Sequence, residues 1–185
     1  MNNLQKIYII FFMTLKKHKD NFFIPFLKFF ERIDISPSML TIISFILGIV
    51  SIFFLFTNKI IFIILILLHL LLDGLDGSLA RYQKKVSKIW GDIDYYSDHI
   101  VLICLIIASA FILKEKQIPI LLLILIIINN FVYVFFNQKY EIIAIRMVYV
   151  IIAIFSLFFA NLITLFLSII NFLIIVYRML FSYRN

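Results

Sequence analysis

Four aspartates, Asp73, Asp76, Asp94 and Asp98, stand at helical spacings in an otherwise apolar chain, and they are the residues best placed to do chemistry. The sequence reads Asp73-Gly74-Leu75-Asp76-Gly77-Ser78-Leu79-Ala80-Arg81 and, after a short basic linker, Asp94-Tyr95-Tyr96-Ser97-Asp98. With Asp92 these make half of the ten acidic residues in the protein, too dense a grouping for scattered surface charge. Residues three or four apart share one face of a helix. If the two segments are helices packed side by side, all four carboxylates converge, and they would repel strongly unless a cation lay between them. A set of oxygen ligands favours hard divalent ions, Mg²⁺ or Mn²⁺ rather than zinc. Four carboxylates can serve two such ions, and a carboxylate-bound metal pair suits phosphoryl transfer, because it neutralises a diphosphate and steadies the leaving phosphate.

The residues between the aspartates fit that chemistry. Glycine inside a helix costs about 1 kcal/mol relative to alanine. Two of the four glycines in the chain, Gly74 and Gly77, nevertheless sit here, which implies close approach of a ligand or a neighbouring helix to the backbone. Ala80 continues the small face, and Arg81 follows at its mouth, able to meet a phosphate or one of the aspartates.

The elements that must position these groups are membrane helices. Hydrophobic residues make up 64% of the chain, charged residues only 15%, and the mean hydropathy of +1.12 lies far outside the range of soluble domains. About 20 apolar residues are needed to cross the hydrocarbon. Six stretches approach that length, near 39–57, 60–80, 94–113, 118–136, 142–160 and 162–181. Pro37 and Pro119 stand at helix starts. The connections at Asn58-Lys59, Lys114 to Gln117 and Ala160-Asn161 are very short. The fold class expected is therefore all-α, a six-transmembrane-helix bundle over residues 37–185. Ahead of it, residues 1–36 form an N-terminal segment in which Phe22, Phe23, Phe26, Phe29, Phe30 and Ile33 share one helical face, opposite Lys28, Glu31 and Arg32. That pattern fits an amphipathic helix lying at the membrane interface, or else an ordinary helix packed on the bundle. Tyr8 to Met13 is apolar but too short for a cleaved signal. Of the 17 Lys and Arg residues, all but Lys59, Lys114 and Lys116 fall on one side of this topology, which places both termini and the aspartates in the cytoplasm. The lone Cys104 excludes an internal disulfide, and His18, His69 and His99 are too scattered for a Cys/His metal site.

The pattern Asp73-x-x-Asp76-Gly77-x-x-Ala80-Arg81, followed by Asp94-x-x-x-Asp98, resembles the signature of the CDP-alcohol phosphotransferase (CDP-alcohol phosphatidyltransferase) family. Pro37-Ser38-Met39-Leu40-Thr41 is similar to that family's Pro-Asn-x-x-Thr opening of the first span, with Ser38 in place of Asn. One departure is Trp90, at a position where the family has glycine, with Gly91 next to it. Either the helix start has slipped by one residue or Trp90 fills space that substrate normally occupies. The resemblance implies an integral membrane enzyme of phospholipid biosynthesis. Its donor would be CDP-diacylglycerol or another CDP-alcohol, the acceptor an alcohol, and the product released CMP. It further implies two Mg²⁺ or Mn²⁺ ions on Asp73, Asp76, Asp94 and Asp98, with Asp98 also acting as the general base. Asp73, Asp76, Gly77, Ala80 and Arg81 would lie along the CDP moiety. A homodimer is implied, with no nucleic-acid partner, and the small size favours a prokaryotic plasma-membrane enzyme. Similar proteins use glycerol phosphate, inositol or its phosphate, serine, choline or ethanolamine. Some instead transfer a headgroup from a CDP-alcohol onto diacylglycerol.

Other residues divide between chemistry and packing. Arg146 lies about a turn inside the fifth span and Arg178 near the end of the sixth. They are read as binding a phosphate on the acceptor, or, for Arg178, as a snorkelling anchor. Lys84, Lys85 and Lys88 are read as orientation determinants and headgroup contacts, with nucleotide attraction as the alternative. His69, one turn from Asp73, fits a core hydrogen bond, His99 a structural role, and Asn129, Asn130 and Asn171 contacts between helices. The alternatives are a non-catalytic relative or a cation transporter with the same bundle. Transport would call for acids deep in several spans, whereas Glu115 and Glu141 lie at span ends.

Overall fold

In the computed structural model the described residues are 20, 22–135 and 145–182, excluding the side chains of 133–134 and 178–182, and every regular element among them is an α-helix. A short helix, α1, covers 22–32. It is followed by α2 (Pro37–Thr57), α3 (Lys59–Tyr82), α4 (Lys88–Ile112), α5 (Gln117–Phe135), α6 (Ile145–Phe155) and α7 (Leu157–Ser182). The starts follow from local chemistry. Ser36 caps α2, its Oγ accepting the Met39 N–H at 3.3 Å with Pro37 in the first helical position. Asn58 caps α3 by accepting the N–H groups of Ile60 and Ile61 at 3.0 and 3.2 Å. Both α1 and α3 end in the same way. Asp34 and Lys84 adopt the left-handed region (φ 54° and 55°), and Ile35 and Lys85 donate back to the carbonyls of Phe30 and Ala80 at 3.0 and 2.8 Å. That double closure satisfies carbonyls the helix would otherwise leave open.

Among the described residues, four helices are long and apolar enough to cross a membrane: α2, α3, α4 and α7 over Leu157–Tyr177. The described apolar parts of α5 and α6 are shorter. Residues 142–144 of the expected fifth span lie outside the described residues. The remainder ends earlier than expected, at Phe155, because Ser156 starts a new helix: it receives the Phe159 N–H on Oγ at 3.5 Å and the Ala160 N–H on its carbonyl at 3.0 Å. Asn161, expected in the connection, is fully buried inside α7. Helix α4 begins at Lys88, ahead of the expected 94, so Trp90 and Gly91 are already helical.

The chain divides into two compact units. The first holds the described residues up to Leu47 together with Leu67–Tyr95. Its core is Leu27, Leu40, Leu75 and Leu79, with Phe23, Phe30, Ile35 and Leu72 against them. Leu27 is thus the anchor of α1, flanked by Phe23 and Phe30, while Phe22, Phe26, Phe29 and Ile33 stay exposed. The expected single apolar face is divided: one part is packed and the other uncovered. The second unit comprises Gly48–Ile66 and the described residues from Tyr96 onward. There α5 and α6 pack on α7, and Asn161 of α7 donates to Ser109 Oγ of α4 at 3.0 Å.

Candidate active site

Helix α3 presents Asp73, Asp76, Gly77, Ala80 and Arg81 at intervals of three and four, along one stripe. In the first unit this stripe borders a cavity of about 480 Å³ whose wall includes Asp76, Gly77, Ala80 and Arg81. The start of α2 contributes Ser36, Pro37, Ser38 and Thr41, the linker Lys85, Val86 and Ser87, and the start of α4 Trp90, Gly91 and Asp94. The motif positions Pro37, Ser38 and Thr41 of α2, Asp76, Gly77, Ala80 and Arg81 of α3, and Trp90 and Asp94 of α4 therefore meet around one space, although they are far apart in sequence.

Asp76 is buried and held in place. The Thr41 hydroxyl donates to its Oδ2 at 2.6 Å, and the Gly77 N–H donates to its Oδ1. Asp73 and Asp94 are half-buried, each with a carboxylate oxygen within 4.8 Å of the other's. Carboxylates this close repel one another, and a cation between them would relieve that repulsion. The donor set is all oxygen and spaced to reach a common ion, which fits Mg²⁺ or Mn²⁺. Asp98 stands one turn beyond Asp94 on α4, is buried, and forms an ion pair with Arg146. Arg146 therefore meets a carboxylate of its own chain, an arrangement not anticipated in the sequence. The Arg178 side chain lies outside the described residues.

Arg81 likewise has a protein partner. Its Nε and Nη2 donate to the two oxygens of Asp20 at 2.8 and 2.6 Å, and the Ser78 hydroxyl donates to Asp20 Oδ1 at 2.7 Å. Asp20 was not legible as a site residue, since nothing in its neighbourhood marks it and 61 positions separate it from Arg81. Thr41 had a signal, the Pro-x-x-x-Thr pattern, but not a role. His69 makes the expected core contact, its Nδ1 lying 2.9 Å from Ser44 Oγ. Trp90 and Gly91 both stand in the cavity wall, and the space persists with the indole in place. A Cβ on Gly91 would meet nothing within 4 Å.

Across residues 34–183 the sequence matches the family described as CDP-alcohol phosphatidyltransferase. The chain belongs to that family. CDP-alcohol phosphatidyltransferases are membrane phosphotransferases that use divalent metals, and the acidic pair Asp73 and Asp94 is available to such an ion. The chain is also similar, at 37% identity over 67 residues, to a protein of Thermococcus kodakarensis named bifunctional IPC transferase and DIPP synthase. That likeness covers 36% of this chain and 16% of the relative, so the chain spans a small part of that protein's length.

Proposed function

We propose that this member of the CDP-alcohol phosphatidyltransferase family is a six-span integral membrane enzyme. It transfers the phosphatidyl group of CDP-diacylglycerol to an alcohol and releases CMP. The observation that carries this reading is the meeting of Asp76, Gly77, Ala80, Arg81 and Asp94 in the wall of one cavity. The cavity is large enough for a nucleotide, which falls within the usual 300–1,000 Å³ of ligand pockets. The excess of Lys and Arg on one side supports cytoplasmic termini and a cytoplasmic site, and the exposed phenylalanines of α1 support an interfacial position for that helix. A homodimer is part of the reading by family likeness.

Asp73, Asp76, Asp94 and Asp98 would hold the divalent ions. When bound, those ions supply charge neutralisation for the diphosphate and for the departing CMP. The protein's own groups do the rest. Gly77 keeps the α3 surface flat where the nucleotide lies, and Arg81 meets its anionic oxygens. The acceptor oxygen attacks the lipid-side phosphorus. A new P–O bond forms as the bond to CMP breaks, and the hydroxyl proton passes to Asp98. Arg146, paired with Asp98, fixes the orientation of that carboxylate. Arg146 and Arg178 together fit an acceptor that carries a phosphate of its own, such as glycerol phosphate or inositol phosphate.

Purified protein with Mg²⁺ and CDP-diacylglycerol should release CMP only when the right alcohol is added, and a panel of phosphorylated and plain alcohols would identify it. Absence of CMP with every alcohol, in protein that remains folded, would reject the enzymatic reading. Arg146→Ala should raise the KM for the acceptor about tenfold while moving the donor KM little, as expected for loss of a charge-assisted contact. Equal changes in both constants would remove Arg146 from the acceptor.

A further inference from the structure

The guanidinium of Arg81 is divided between two tasks. Its Nε and Nη2 edge is occupied by Asp20, in a two-pronged contact at 2.8 and 2.6 Å. Ser78 braces the same carboxylate, donating to Oδ1 at 2.7 Å and lying 3.2 Å from Nη2. The remaining nitrogen, Nη1, lies above Gly77, 3.5 Å from where a Cβ on that residue would stand. Gly77 and Arg81 belong to the cavity wall, and Asp20 does not. Asp20 also precedes residues 34–183, the part of the chain that the family match covers, so the contact is not one the motif itself provides.

We propose that Asp20 is a positioning residue. It fixes the plane of the Arg81 guanidinium so that Nη1 is presented over Gly77 to a phosphate oxygen of the nucleotide, a role that rests on the cavity taking a CDP group. The physical case has three parts. A fork-to-carboxylate contact sets orientation as well as distance, which a point charge cannot do. Arginine has many rotamers, and ordering them before the ligand arrives raises affinity by lowering what binding must immobilise. The pair is about 30% exposed on each side, so screening leaves it little to add to stability; orientation is the larger contribution. Asp20 also neutralises part of the Arg81 charge, and this makes the test decisive. If the contact acted only as electrostatic competition, removing it would tighten anion binding. If it positions the arginine, removing it weakens binding.

The experiment compares CDP affinity, in the presence of Mg²⁺, for full-length wild type, Asp20→Ala, Arg81→Ala and the double variant, with melting curves to confirm folding. Asp20→Ala should weaken CDP binding about tenfold, as expected for lost preorganisation, and should have no further effect once Arg81 is alanine. Unchanged or tighter binding, or an equal additional loss in the Arg81→Ala background, would overturn the proposal. Asp20→Asn keeps the side-chain shape and one acceptor, and serves if the alanine variant does not fold; it should fall between wild type and alanine. Ligand-free labelling with phenylglyoxal gives a second readout: Arg81 should react faster in either Asp20 variant, and an unchanged rate counts against the positioning contact. Wild-type protein that fails to bind CDP would reject the nucleotide reading, while the labelling rates would still judge the Asp20–Arg81 contact.

Discussion

The cavity end of the first unit and the α5–α7 packing of the second both bury polar side chains, but they treat them differently. Around the cavity, beside neutral serines and Thr41, the charged groups are tightly engaged: buried Asp76 takes hydrogens from Thr41 and Gly77, and Ser78 and the half-buried Arg81 both reach Asp20. Along α7 the buried groups are neutral. Asn161, Thr164, Ser168 and Asn171 form a stripe at spacings of three and four. Thr164 Oγ1, Ser168 Oγ and Asn171 Oδ1 have no hydrogen-bond partner among the described residues. The physical lesson is one of magnitude. A charge in apolar surroundings must be paired or neutralised, whereas a hydroxyl or amide can be left partly satisfied at a cost of about 1–3 kcal/mol. Small polar residues also let membrane helices approach closely. Substitutions in the first unit should therefore damage function more than stability, and those along α7 the reverse.

Asp98 offers the largest test, because it is a charged residue inside the second unit. It is buried and paired with Arg146. If it is the general base, Asp98→Asn should lower CMP release about a thousandfold, the range of general-base removal, a loss well beyond the share of protein that unfolds when the buried Arg146 is left without its counter-charge. A large fall in melting temperature with proportionate loss of activity would instead make the Asp98–Arg146 pair structural.

Thr41→Val comes next. It removes the donor to a buried carboxylate while preserving shape, and a hydrogen bond to a charged group is worth about 1.5–3 kcal/mol. The expected result is roughly a 10- to 100-fold loss in kcat/KM, whereas Thr41→Ser, which keeps the hydroxyl, should stay close to wild type. If valine and serine behave alike, the 2.6 Å contact to Asp76 does not matter to the site.

These two residues also mark what the sequence could reveal. The spacing of Asp73, Asp76, Gly77, Ala80 and Arg81 announced a shared helical face, because helix periodicity is local and readable. It also indicated that α4 would supply Asp94 and Asp98 one turn apart. What it could not supply were contacts made across the fold. Asp20 meets Arg81, Asp98 meets Arg146, and Leu27 rather than the phenylalanine run anchors α1, and no local pattern encodes those pairings. The break at Ser156 was missed for a related reason: Asn161 is a turn-former by type, but here it is satisfied inside a helix by Ser109 and by the Leu157 carbonyl at 2.8 Å.

Asn161→Ala probes the other side of the comparison. The amide is fully buried and bridges α7 to α4, and interhelical hydrogen bonds of this kind average near 0.6 kcal/mol with a maximum of about 1.7. Stability in detergent should fall by about 1 kcal/mol, with kcat unchanged. A selective loss of kcat would mean that the α7 stripe is coupled to the chemistry, and the contrast between the two units would fail.

The smallest expected effect comes from two glycines in the same cavity wall. At Gly91 a Cβ would meet nothing within 4 Å, and replacing an unstrained helical glycine by alanine stabilises by about 0.5–1 kcal/mol. Gly91→Ala should therefore raise the melting temperature slightly and leave nucleotide affinity alone. At Gly77 the added methyl would stand 3.5 Å from Arg81 Nη1, an ordinary contact that the fold accepts, so the gain in stability should be similar. There, however, the methyl would occupy the surface that the proposed nucleotide lies against, and Gly77→Ala should weaken CDP binding. Equal stability gains with unequal affinity would identify Gly77 as a ligand-approach position and Gly91 as wall without contact. Equal losses of affinity would move the nucleotide toward α4 and assign Trp90, one residue away, a place beside it.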